Sequence, residues 1–116
     1  MKAYKYLPGK PQKIISSHVF IADNFFRRFS GLLFRKPLKD NEIFVLKDCK
    51  SIHTIGMRYS LDAAFLDDNG RIIEIFEDLK PWKITPYITK AYLVLEALSG
   101  FIKRNSLAVG DRIEFE

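Results

Sequence analysis

Asp62 and Glu96 stand where carboxylates are rarely found. Asp62 lies in Leu61-Asp62-Ala63-Ala64-Phe65-Leu66 and Glu96 in Leu93-Val94-Leu95-Glu96-Ala97-Leu98. Both runs read as strands, and alternate residues of a strand share a face. Asp62 therefore goes with Ala64 and Leu66, and Glu96 with Tyr92, Val94 and Leu98. An unpaired charge on an apolar face is costly to desolvate. Such an acid either lines a pocket with a shifted pKa or belongs to a structural ion pair or a strand edge, and the structural reading is the simpler for each alone. The sequence predicts that at least one of the two is buried and bonded to an Arg, a His or backbone N–H groups.

Arg28, Arg58 and His53 are the obvious counter-charges. His53, in Ser51-Ile52-His53-Thr54-Ile55-Gly56-Met57, is a residue type suited to proton transfer near neutral pH, or is a hydrogen-bonded structural histidine. Cys49 and His53 have a Cys-x3-His spacing, but the chain has no second cysteine and only His18 besides, so no metal site is expected. Cys49 reads as a small buried thiol rather than a nucleophile, for lack of a base beside it. Trp82, after Pro81, reads as packing over the core, with the wall of a pocket as the alternative. No glycine-rich phosphate loop or dinucleotide fingerprint is present, and no cofactor is expected.

The elements that must position these residues are mostly strands. The 116 residues fit one domain, 1–116, with 47% hydrophobic residues and ten Phe, five Tyr and one Trp to fill a core. No apolar run is long enough for a membrane helix, and Met1 to Lys13 resembles neither a secretion signal nor an anchor. A lone cysteine points to a reducing cytoplasm. The net charge is +5. Its densest basic stretch, from Arg27 to Lys39, is interrupted by Phe29, Leu32, Leu33 and Phe34, so a solvated face is preferred to a nucleic-acid role.

Strands are expected over Gln12–Ala22, Glu42–Leu46, Leu61–Asp67, Arg71–Asp78, Ala91–Leu98 and Arg112–Phe115. A short amphipathic helix starts after Asp23, with Phe25, Phe26, Phe29, Leu32 and Leu33 on its stripe. Gly100–Asn105 is a turn or short helix. Gly110-Asp111 makes a tight turn in which Asp111 bonds its own backbone. Without a βαβ alternation, the fold class is mainly β, a small antiparallel barrel or roll with one or two short helices. Asp68-Asn69-Gly70 is read as a three-residue hairpin loop with Gly70 left-handed and Asp67 paired with Arg71. That register puts Leu61, Ala63, Phe65, Ile73 and Ile75 on the core face, and Asp62 opposite, beside Glu74 and Phe76.

Taken in order, several segments resemble the bacterial and archaeal domain-of-unknown-function family 192. Arg28-Phe29-Ser30-Gly31-Leu32-Leu33-Phe34-Arg35 is similar to its Arg-x-x-Gly-Leu-Met-x-Arg segment. The stretch Ser51 to Met57, followed by Leu61-Asp62, is similar to its central signature in a His-Thr-x-Gly-Met form. Val94 to Gly100 resembles its Leu-Glu-x-x-x-Gly segment, and Leu107 to Ile113 its terminal Gly-Asp turn. The resemblance implies a compact β-rich fold and no stated activity. Arg28, His53, Asp62 and Glu96 fall within the shared motifs.

The function expected is a binding module for a small polar ligand, its pocket lined by Arg28, His53, Asp62 and Glu96 with Trp82 as a wall. The alternatives are a ligand-free structural or interaction protein, and a hydrolase in which His53 works with an acid. Absence of an evident nucleophile makes an enzyme the weaker expectation. Convergence of the four polar side chains on one cavity would favour binding; scatter would favour the structural reading.

Overall fold

The computed structural model describes residues 1–22 and 38–116. The helix expected after Asp23, and Arg28 with it, lie outside the described residues. The elements are β1 (Ala3–Lys5), β2 (Lys13–Ser16), β3 (His18–Ala22), β4 (Glu42–Lys47), β5 (Leu61–Leu66), β6 (Ile72–Leu79), β7 (Leu93–Leu98), α1 (Phe101–Arg104) and β8 (Ile113–Phe115).

Among the described residues the strands form two sheets in a roll-like arrangement, bridged between Arg71 and Arg112. One sheet has the order β2-β1-β8 and the other β3-β4-β7-β5-β6. The single strand expected over Gln12–Ala22 is two strands, one in each sheet. Ser16 makes the break: its Oγ donates to Asn41 O at 2.6 Å and accepts from His18 N–H at 3.1 Å. One strand pair departs from the antiparallel pattern. β3 and β4 run parallel, with His18 opposite Glu42 and Ile21 opposite Val45. The core of β4, Ile43 to Leu46, is buried on both faces, and such a continuous apolar run carries no mark of pairing direction.

Each face of the five-stranded sheet covers its own apolar cluster. Val45, Ala64, Leu66, Leu95 and Ala97 face the three-stranded sheet and α1, packing with Ala3, Phe101, Ile102 and Ile113. Phe44, Leu46, Leu61, Ala63, Phe65 and Val94 face the loops that supply Cys49, Ile52, Met57 and Ala91. β5 lies between them with all six residues buried.

The hairpin tip is the expected three-residue loop. Asp67 N–H donates to Arg71 O at 2.9 Å and Gly70 N–H to Asp67 O at 3.1 Å. Asp67 Oδ1 also accepts from the N–H groups of Asn69 and Arg71, both at 2.9 Å. Gly70 has φ +80°, and a Cβ there would lie 2.7 Å from Ile113 O. The tip thus abuts β8, and Ile113 N–H donates to Gly70 O at 2.8 Å.

Below the tip the expected register fails. Leu66 faces Ile72 but Phe65 faces Glu74, so Ile73 is bulged out of the ladder and parity reverses beyond it. Ile75 consequently packs with the first cluster and Phe76 with the second, the reverse of their expected faces. The Phe76 ring meets Phe65 edge-on at 5.7 Å. A second shift falls between Ala63↔Phe76 and Leu61↔Leu79, where Asp78 takes φ +53°.

Candidate functional site

Asp62 is fully buried, on the face of β5 opposite Phe65 as expected, but not on a mixed face beside Glu74 and Phe76. It lies on the side of α1. Oδ1 accepts from Asp78 N–H at 2.8 Å, and Oδ2 from Gly100 N–H at 3.1 Å and Ile102 N–H at 3.0 Å. Each donor has a local reason to need an acceptor. The second β6 bulge takes Asp78 N–H out of the ladder, and Gly100, the N-cap of α1, has no side chain to satisfy the helix start. Asp62 answers both from the neighbouring strand. Asp78 itself is exposed, with its carboxyl held below the usual range by Lys80, 2.8 Å away, and then by Ser99.

Glu96 is buried to 3% exposure on the opposite face. Its register neighbours are Phe44 on β4 and Ala63 on β5, both in the second cluster. Oε2 has no hydrogen-bond partner among the described residues, and desolvation pushes the carboxyl up to about 8. At neutral pH Glu96 is therefore mainly a protonated acid, with one donor and one acceptor oxygen. The buried Tyr59 hydroxyl belongs to a residue packed against the same cluster. Tyr59 escaped the sequence reading because nothing distinguishes it from a core aromatic. Two residues beyond Glu96, Leu98 is half-buried and Ser99 exposed.

His53 is exposed, in an isolated antiparallel bridge with Ile84. Its Nδ1 accepts from Ile55 N–H at 3.3 Å. The buried polar residue of the motif is its neighbour, Thr54, which sequence reasoning passed over. Thr54 Oγ1 donates to Lys80 O at 2.6 Å and accepts from Lys83 N–H at 2.9 Å. Thr54 O accepts from Trp82 N–H at 3.0 Å. These bonds hold Trp82 at φ +65°, a conformation costing a non-glycine residue about 1–2 kcal/mol. Trp82 is 69% exposed, so the expectation that it packs over the core is corrected. Thr54 draws its backbone against residues 52–54 and leaves the ring outside.

A family model for DUF192, described as "Uncharacterized ACR, COG1430", matches residues 9–115. The chain belongs to the DUF192 family. The UPF0127 protein of Pyrococcus furiosus is 39% identical over 109 residues, covering 89% of this chain and 90% of its own. That of Pyrococcus horikoshii is 35% identical, covering 84% and 86%. The crystal structure of a protein of unknown function from Novosphingobium aromaticivorans superposes with a TM-score of 0.82 at 20% identity, over 99% of this chain and 84% of that one; this likeness shows a shared fold.

Within this DUF192 fold His53, Asp62 and Glu96 do not converge. Asp62 and Glu96 occupy opposite faces of one sheet, and His53 and Trp82 share a surface ledge. Arg28 lies outside the described residues. Cys49 is buried, its Sγ donating to Ser51 O at 3.1 Å. Among the described residues, no three His, Cys, Asp or Glu side chains are grouped so as to hold a metal ion. No helix among them is long and apolar enough to cross a membrane.

Proposed function

We propose that this chain is a small binding module that holds an uncharged polar ligand against the Glu96 face of the five-stranded sheet. The observation that carries the reading is the buried Glu96 Oε2, which has no hydrogen-bond partner among the described residues. A buried polar atom of this kind is uncommon and calls for a partner. With its pKa near 8 the carboxyl meets a ligand as a neutral donor–acceptor pair, matching an amide, a nucleobase edge or a hydroxyl pair. The apolar surroundings, Phe44, Val94 and Ala63, suit a ligand with an apolar body.

Arg28 is retained as a ligand contact on its motif alone. Asp62 is assigned to the fold, because its oxygens already serve three backbone donors. His53 and Trp82 are assigned to a separate surface. A hydrolase reading has little support: His53 Nδ1 is taken by a backbone N–H, and no carboxylate bonds the ring among the described residues. A reducing cytoplasm is the proposed location, on the ground that Cys49 is a buried thiol with no second cysteine to bridge.

The test is a ligand-observed NMR screen of uncharged amides, nucleobases and sugars at pH 6.5 and 9.5. Glu96→Gln keeps a neutral donor and acceptor, so it should bind the same compounds at both pH values. Wild type should bind at the lower pH only, and Glu96→Leu at neither. Equal binding to Glu96→Leu would overturn the proposal.

A further inference from the structure

Residues 49–61 and 79–95 contain five Lys and Arg, namely Lys50, Arg58, Lys80, Lys83 and Lys90, and no Asp or Glu. In sequence the two stretches are well apart, which is why the charge reads as diffuse. The fold brings them together. Thr54 N–H donates to Lys83 O at 2.8 Å, Thr85 N–H to Ile52 O at 2.9 Å and Ile88 N–H to Lys50 O at 2.7 Å. Lys50 Nζ donates to Thr89 O at 2.8 Å and Ala91 O at 2.7 Å. The buried threonines, Thr54 and Thr85, point inward. The residues flanking them stay outside: Ile55, Trp82, Ile84 and Tyr87 are 39%, 69%, 67% and 65% exposed. His53, bridged to Ile84, is also exposed, as are Arg58, Lys83 and Lys90.

From this ledge we infer that the chain binds single-stranded nucleic acid, a role independent of the Glu96 site. The ledge combines exposed aromatic side chains with the exposed cations Arg58, Lys83 and Lys90, while Lys80 is paired with the flanking Asp78 at 2.8 Å; rings beside unpaired cations let bases stack while the phosphates are neutralised. Trp82 is the strongest indication. Its left-handed backbone would suit glycine, yet the position carries the chain's only tryptophan, mostly out in solvent. The charge pattern disfavours a second copy of this chain, whose matching surface would bring the same cations together. Apolar and cationic residues are interleaved, as in Trp82-Lys83-Ile84, whereas insertion into lipid is served by a continuous apolar tip.

The test uses fluorescence anisotropy of a labelled 20-mer of deoxythymidine at low salt, with the purified chain. Binding is expected, with quenching of Trp82 emission. Lys83→Gln and Lys90→Gln should each lower the slope of log affinity against log salt by roughly 0.7. Trp82→Gly suits the observed φ, should keep or raise the melting temperature, and should weaken binding about tenfold. Absence of binding would overturn the inference, as would affinity unchanged by a folded Trp82→Gly. Stronger quenching by vesicles of anionic lipid, or by polyglutamate, than by the oligonucleotide would equally reject it and assign the ledge to that partner.

Discussion

Asp62 and Glu96 sit one register step apart on neighbouring strands and point to opposite faces of the same sheet. Asp62 pairs across the ladder with Ala97, and Glu96 with Ala63. The two carboxyls are alike in sequence context and in burial, but their surroundings give them opposite roles. Asp62 has three backbone donors aimed at it, whereas Glu96 Oε2 has no partner among the described residues. The sheet itself separates them.

Asp62→Ala should destabilise the protein by about 3–5 kcal/mol, because three buried N–H groups lose their acceptor. Asp62→Asn should recover only part of the loss, since an amide nitrogen would face donors. Urea denaturation monitored by circular dichroism would measure both. A loss below about 1 kcal/mol for Asp62→Ala would mean that water satisfies the α1 start and the β6 bulge.

Glu96 makes stability depend on pH. Its folded pKa of about 8 lies above the ordinary 4.5. Between those values the folded state holds a proton that the unfolded state has lost, so stability falls as pH rises and levels off above about 8. The slope within that window should approach 1.4 kcal/mol per pH unit for this group. In Glu96→Gln that contribution should vanish, leaving the variant the more stable at pH 8. Parallel pH profiles for the two proteins would contradict this.

Gly70→Ala should cost about 2–3 kcal/mol, combining a left-handed φ with a clash against Ile113 O, a backbone atom. The hairpin tip and β8 should loosen together, visible as faster hydrogen exchange at Ile113 N–H. Protection unchanged at Ile113 would show that the tip does not hold β8.

Much of this was legible in the sequence because it is governed by local chemistry. The Asp68-Asn69-Gly70 loop follows from turn residues, and the Asp111 turn is closed by Asp111 Oδ2 accepting from Ala108 N–H at 2.9 Å. The burial of both acids follows from their apolar neighbours. What was not legible depends on non-local pairing. The bulge at Ile73 has no composition signal and reversed the faces of Ile75 and Phe76. The short strand β1 hides in a lysine-rich start, because its partners β2 and β8 are far along the chain. The separation of His53, Asp62 and Glu96, which the sequence reading expected to share a pocket, was hidden for the same reason. Strand alternation gives the face of each acid within its own strand, but not how neighbouring strands align.

The most direct test of the account is the titration of the Glu96 carboxyl by carbon-13 NMR in selectively labelled protein, with a Glu96→Gln spectrum to assign the resonance. A midpoint near 8 is expected, moving higher when an uncharged ligand that the acid recognises is bound. A midpoint near 4.5, unmoved by every compound in the screen, would mean that Glu96 is an ordinary carboxylate and that the proposed ligand site does not exist.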